Sequence, residues 1–283
     1  MSWDRTARRK ALSAILLGST GVATLVVTSV LFFVLAYLLV KGGSSLSWAF
    51  FTGLPKPVGE PGGGMGNAIV GTGKLLLIAA ATGLPVGFLA GLYVSEFAGR
   101  PMAGAVRFAA DLLNGVPSIV VGIVVYTLVV LQAKHFSAWA GGLALGLMMI
   151  PVMTRSTEEF LRGVPASLRE ASLALGATRA VTIARVVVPA AARGVVTAAM
   201  LGLARVAGET APLLFTALNN RFWSEGFNQP TASLPVMIYT YALAPYEDWH
   251  RQAWAAGLVL LAMVLAANVA ARLVLGRRMT ASR

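Results

Sequence analysis

Arg205 and Glu209 interrupt a stretch, residues 194–218, that is otherwise free of charge. On insertion scales an ionised group near the centre of a bilayer costs about 2.5–3.5 kcal/mol, so such groups face a bundle interior or water and find partners. A guanidinium in that setting suits an oxyanion, because its planar fork of donors matches oxygen geometry. Four positions apart, Arg205 and Glu209 are expected on one face of one helix. Two roles are open. Arg205 lines a path and attracts an anion, with Glu209 orienting it or weakening its grip so that the anion leaves. Alternatively the two form an i, i+4 ion pair that only ties helices together. A second polar group, Asp111, Asn114, Pro117 and Ser118, lies in DLLNGVPSIVVGI. Asp111 at a helix start is favoured by the dipole, which is a sufficient account of it; a gating role is the alternative. Pro117 can kink a helix, and Ser118 can rebond the carbonyl that the kink frees.

Other chemistries find no residues. The chain has no cysteine, and its only histidines are His135, in an outer loop, and His250, beside the last span. Neither disulfide nor thiolate chemistry is possible, and no metal site is expected. No paired carboxylates or Ser/His arrangement lies at membrane depth, so no catalytic residue is assigned. No G-x-x-x-x-G-K-[ST] phosphate loop is present, so ATP hydrolysis is not expected of this chain.

The elements that must hold these residues are apolar. Of 283 residues 57% are hydrophobic and only 12% charged, against about a quarter charged in soluble domains. The mean hydropathy is +0.75. Such a chain is read as an all-α polytopic membrane protein. A span needs roughly 20 apolar residues. Six are expected, near residues 11–40, 68–97, 108–131, 139–154, 194–218 and 253–275. Residues 41–66 are rich in Gly and Pro and read as loop. Lys74 is expected to snorkel at the outer end of the second span. Residues 219–250 read as a polar, aromatic-containing loop, with 234–244 as an interfacial or re-entrant helix. With six spans both termini share a side. That side carries sixteen Lys and Arg, six of them in residues 155–193, against five on the other. The bias places both termini and residues 155–193 in the cytoplasm. It also accounts for most of the +12 net charge, so no nucleic-acid partner is inferred.

Residues 166–175, ASLREASLAL, read as a helix broken by Gly176, with helical or extended character resuming at Ala177 until Pro189 ends it. The expected shape is a short elbow on the membrane surface. Its small residues let a partner pack closely, and Glu170 offers a charge-assisted contact.

The spacing of Glu170, Ala171, Ser172, Gly176 and Pro189 resembles the EAA, three residues, G, nine residues, I-x-L-P signature of permease subunits in binding-protein-dependent ABC importers. Ser172 stands for the second Ala, and Val186 and Val188 for the Ile and Leu. Within that family the chain is similar to phosphate permeases of the PstA type. Residues 114–120, NGVPSIV, resemble their third-span motif, and residues 205–212, RVAGETAP, their R-x-x-G-E-T-A-P motif. Residues 230–254 resemble the PstA loop before the last span, and a single amino-terminal span without a large second-loop insertion also suits PstA rather than PstC. The resemblance covers about residues 65–275.

The resemblance implies a type I ABC importer (MetI-like) permease fold of six transmembrane helices. Residues 1–66 would form the tail, first span and outer loop. Residues 67–275 would form the permease core, with the cytoplasmic coupling loop 155–193, and residues 276–283 a cytoplasmic tail. The implied function is ATP-driven import of inorganic phosphate across the cell (inner) membrane, with a separate ATPase docking on residues 165–189. Glu170, Ala171, Ser172, Gly176 and Pro189 would form the coupling element; Arg205, Glu209, Asn114 and Ser118 would line the substrate pathway. The implied partners are a PstC-type permease in a heterodimer, an ATPase dimer, a phosphate-binding protein and membrane lipid. No cofactor is expected in this chain, since ATP and Mg would bind the ATPase. Rival readings are a permease for molybdate, tungstate or phosphonate, an intramembrane enzyme, and a passive channel.

Overall fold

A computed structural model describes residues 3–60 and 62–280. Residues 1, 2, 61 and 281–283 lie outside it, as do the side chains of residues 3, 4 and 274–280; of the terminal basic residues, Arg277, Arg278 and Arg283 fall there. The regular elements of the described residues are all helices: α1 Trp3–Gly43, α2 Trp48–Thr52, α3 Gly66–Glu96, α4 Pro101–Gly115, α5 Ser118–Val125, α6 Leu131–Ala133, α7 Ala138–Arg162, α8 Ala166–Ala174, α9 Arg179–Thr182, α10 Val188–Ala207, α11 Ala211–Thr216, α12 Leu234–Ala242 and α13 Glu247–Thr280. Two π turns, Tyr126–Val130 and Ile183–Val187, join α5 to α6 and α9 to α10. Five helices are long and apolar enough to cross a membrane, six if the bent pair α4 and α5–α6 counts as one span.

The bundle centres on α3 and α7. Leu75 meets Gly141, Ile78 meets Gly142, and Gly83, Gly87 and Gly91 meet Met149, Met153 and Thr157. The numbers rise together, so the two helices run parallel. Small residues every fourth position let helix backbones approach closely where no hydrophobic force drives association. A Cβ on Gly87 would sit 2.6 Å from that of Met153, and neither backbone can yield without parting the pair. Gly87→Leu is therefore expected to cost about 1–3 kcal/mol or more, and Gly87→Ala less. The check is the melting temperature of the purified protein in detergent.

Because α3 and α7 are parallel, the chain between them must return across the bundle. The expected third span, 108–131, does not do this as one rod. α4 and the α5–α6 segment are bent 104° from each other. Pro117 has no N–H to continue the helix, and it holds Val116 extended, at φ −71° and ψ 128°. The return is made by residues 118–133 alone, while α4 crosses the end of α7 through the Arg107–Glu158 and Arg155–Asp111 pairs.

Three other boundaries also move. The fourth span runs to Arg162 rather than 154. The helix expected at 194–218 begins at Arg179 and ends at Ala207. Pro189 does not terminate it. Sitting in the first turn of α10, it follows a π turn in which the Val188 N–H reaches back to the Ile183 carbonyl; the wider turn accommodates the missing donor. Residues 155–193 are thus not all loop: their ends are helix extensions, and the elbow proper is 163–178. Finally, α12 ends at Ala242; it packs Leu234, Met237 and Tyr241 against Ala255, Ala256 and Val259 of α13 and leaves Tyr239, Thr240 and Ala242 exposed.

The loop 219–233 is pinned to the bundle by polar contacts. Asn67 Nδ2 donates to the Asn220 carbonyl at 2.6 Å, and the Leu234 N–H donates to Thr72 Oγ1 at 2.9 Å. Lys74 donates to the carbonyls of Ser224 at 2.8 Å and Gly226 at 3.0 Å. α1 stands apart, its apolar window wholly uncovered. It meets α13 only towards its end, where Tyr37 packs edge-on to Trp254 with centroids 5.1 Å apart.

Candidate functional site

The elbow is built from local rules. α8 ends at Ala174, with Leu175 as its cap and Gly176 at φ +83°. A left-handed residue just past a helix is the usual place for glycine, which has no Cβ to clash. The Gly176 N–H donates to the Leu173 carbonyl and that of Ala177 to the Ser172 carbonyl. Thr178 then caps α9 by accepting from the Val181 N–H. Ser172 Oγ lies 2.9 Å from Thr182 Oγ1, tying the two arms together.

What the elbow presents outward is unusual for a surface. Glu170 and Ala171 are exposed, and among the described residues Glu170 has neither an ion-pair nor a hydrogen-bond partner. Leu175 is 89% exposed, with Leu168 and Leu173 also open. α8 contains no buried residue. A short helix bearing apolar side chains and an unpartnered carboxylate, with nothing on its own chain to cover them, has the make-up of a docking element.

The membrane-depth residues are arranged differently from expectation. Arg205 lies in the last turn of α10, but Gly208 ends the helix, so Glu209 lies in the break before α11. The shared helix face does not exist, and among the described residues no ion pair joins the two. The physical reason lies in Gly208 followed by Pro212, which stops one helix and starts the next. Arg205 is exposed and Glu209 half-buried.

The second polar group also sits at a break. Asn114 is exposed at the end of α4, and Ser118 is half-buried at the start of α5. The helices that follow the two breaks, α5 and α11, pack closely: a Cβ on Gly122 would lie 2.6 Å from Pro212 Cα. The fold therefore brings the two breaks onto neighbouring elements, although no side-chain hydrogen bond links Asn114, Ser118, Arg205 and Glu209 among the described residues.

Two carboxylates that sequence reasoning passed over organise the end of the bundle that carries the elbow. Glu158 is buried in α7 and accepts from Arg107 at 2.6 Å, Arg155 at 2.7 Å and Arg162 at 3.0 Å. Asp111 lies in the C-terminal part of α4 rather than at a helix start, so the dipole does not account for it; it pairs instead with Arg155 of α7 at 3.0 Å. Glu96, at the end of α3, pairs with Arg169 of the elbow at 2.6 Å. A signal was available in the sequence: each acid stands in the C-terminal part of an apolar helix, where the dipole disfavours an anion, so each requires a cation brought from elsewhere.

The family model described as binding-protein-dependent transport system inner membrane component matches residues 83–280. The chain is 43% identical over 249 residues to the phosphate transport system permease protein PstA of Yersinia pestis, covering 88% of this chain and 84% of that one. It is 40% identical over 267 residues to the PstA of Haemophilus influenzae, covering 94% of each. Among solved structures, an inward-facing form of the MetNI methionine ABC transporter superposes with a TM-score of 0.59 at 20% identity, over 77% of this chain and 97% of that one. This last likeness bears on the fold alone, which is that of the type I importer permeases. With its several apolar helices, the chain is a multi-pass membrane protein, a transport subunit rather than an enzyme, and it belongs to the binding-protein-dependent transport system inner membrane components, within their PstA branch.

Proposed function

We propose that this chain is the permease subunit of an ATP-driven importer of inorganic phosphate, paired with a PstC-type permease. Two copies of an ATPase dock on the cytoplasmic elbows, and a phosphate-binding protein delivers the anion on the opposite side. ATP and Mg bind the ATPase; this chain contributes no cofactor site. Both termini and the elbow lie in the cytoplasm, as the distribution of Lys and Arg supports. The observation that carries the reading is the elbow itself. Glu170 and Leu175 stand exposed and uncovered, at the signature spacing, in a chain at least 40% identical to proteins named as phosphate permeases. Other oxyanions are not favoured by those relatives.

The transport path runs along the two helix breaks. Breaks free backbone polar groups, and at membrane depth irregular backbone is tolerated where it is buried in protein or lines a water-filled cavity. Arg205, exposed and without an ion-pair partner among the described residues, supplies the guanidinium that attracts the anion as the second permease closes the path. Glu209, Asn114 and Ser118 flank it. Arg205→Gln is expected to leave the complex assembled and to cut phosphate uptake at least about tenfold, the loss of one charge-assisted contact. Uptake in proteoliposomes, read beside the yield of intact complex, checks this. Loss of assembly, or unchanged uptake, would refute the pathway role.

A further inference from the structure

Glu96 occupies a position that electrostatics alone opposes. It is the last residue of α3, its side chain is 5% exposed, and the helix dipole there disfavours an anion. A buried carboxylate persists only where it is paired and hydrogen-bonded. The partner comes from 73 residues away: Arg169 Nη1 of α8 donates to Glu96 Oε1 at 2.6 Å, while its Nη2 donates to the Leu161 carbonyl of α7 at 2.9 Å. Arg179, which opens α9, donates to the backbone carbonyl of Glu96, and its guanidinium lies 4.8 Å from the Phe97 ring. One point thus joins the ends of α3 and α7, the elbow, and the start of the long helix that leads to Arg205.

The helix of the elbow, α8, is held by little else: Val164 just ahead of it is buried with Leu161 and Val187, but α8 itself has no buried residue. Its side-chain ties among the described residues are Arg169 and the Ser172–Thr182 contact, and only the first reaches α3 or α7. Glu170 next to it points outward while Arg169 points inward, as successive helix residues do at about 100°. Above the joint, α3 and α7 are locked in parallel by glycine contacts, so a displacement delivered at Glu96 moves both helices together.

We propose that Glu96 is a positioning residue for coupling: through Arg169 it transmits the movement of the docked elbow to the α3–α7 pair. This rests on the docking reading above. Breaking the pair leaves the outward face unaltered, so the ATPase still binds and hydrolyses, but the stroke is lost.

The test uses the complete complex, with both permeases, the ATPase and the binding protein, in proteoliposomes. It reads radiolabelled inorganic phosphate imported per ATP hydrolysed for wild type, Glu96→Gln, Arg169→Met and the double variant. Each single variant is expected to assemble normally and lose about three- to thirtyfold in that ratio. Because the two residues act through each other, the double variant is expected to fall no lower than the worse single one. An unchanged ratio, losses that multiply, or failure to assemble would each overturn the proposal. If the wild-type chain neither binds the ATPase nor imports phosphate, the docking reading falls and this inference with it. If the wild type is coupled and the variants match it, only the role of Glu96 falls.

Discussion

Glu158→Ala is expected to lower stability by about 3 kcal/mol, the lower end of what breaking a buried ion pair costs. Glu158 is 3% exposed and accepts from three guanidinium groups. Its removal leaves Arg107, Arg155 and Arg162 clustered, with Asp111 paired to Arg155 and Glu159 lining the same cavity. The arginine side chains are 29–48% exposed, so water screens part of their repulsion, which keeps the cost at the low end. α4 is the element that suffers, because the Arg107 pair fastens its amphipathic rod to α7 beside only two buried residues of its own, Ala103 and Ala110. A detergent melt is expected to shift down by roughly 6–12 °C, given about 2–4 °C per kcal/mol for a chain approaching this size. Hydrogen exchange is expected to rise first in residues 101–115. An unchanged melt would mean that the cluster is satisfied by solvent and α4 is held otherwise.

On the elbow, Glu170→Lys is expected to abolish ATP-driven uptake while leaving the chain folded in the membrane. Glu170 has no partner among the described residues, so reversing its charge breaks nothing within this chain. What changes is the surface offered outward, where a reversed charge at a contact costs several kcal/mol of association. Gly176→Trp reaches the same end by another route. No atom lies within 4 Å of the added Cβ, yet a φ of +83° costs a side-chain-bearing residue about 1–2 kcal/mol. That is too little to unfold the bundle and enough to distort the turn beside Leu175. Co-purification of the ATPase with each variant, together with phosphate uptake, checks both. Normal ATP-driven uptake in either variant would remove the elbow from the coupling route.

Much of the architecture could be read from residue patterns because the governing physics is local. Long apolar runs specified the spans, and the Gly176 break specified the turn of the elbow. Pro117 is visible too, but on sequence alone it implies a kink within one span, whereas the chain turns 104° between α4 and α5–α6. That angle depends on what α4 packs against, namely Glu158 and Arg155, far along the sequence. The long helix begins at Arg179, fifteen residues before its apolar core, since Arg185 and Arg193 need not lie in hydrocarbon. Hydropathy cannot mark where such a helix starts once it leaves the bilayer. Arg205 and Glu209 were placed on one helix by spacing alone, and Gly208 undid that. The Glu96–Arg169 joint spans 73 residues, and no pattern at short period reports a contact of that separation.

Driven through its elbow, this chain is expected to import phosphate. The most direct measurement is ATP-dependent uptake by the reconstituted complex, with phosphate, molybdate, tungstate and phosphonate supplied at matched concentrations, for the wild-type chain and for Glu170→Lys. The expected result is accumulation of phosphate in preference to the other anions by wild type, and none by the variant. Absence of phosphate uptake while another of these anions is carried would contradict the account.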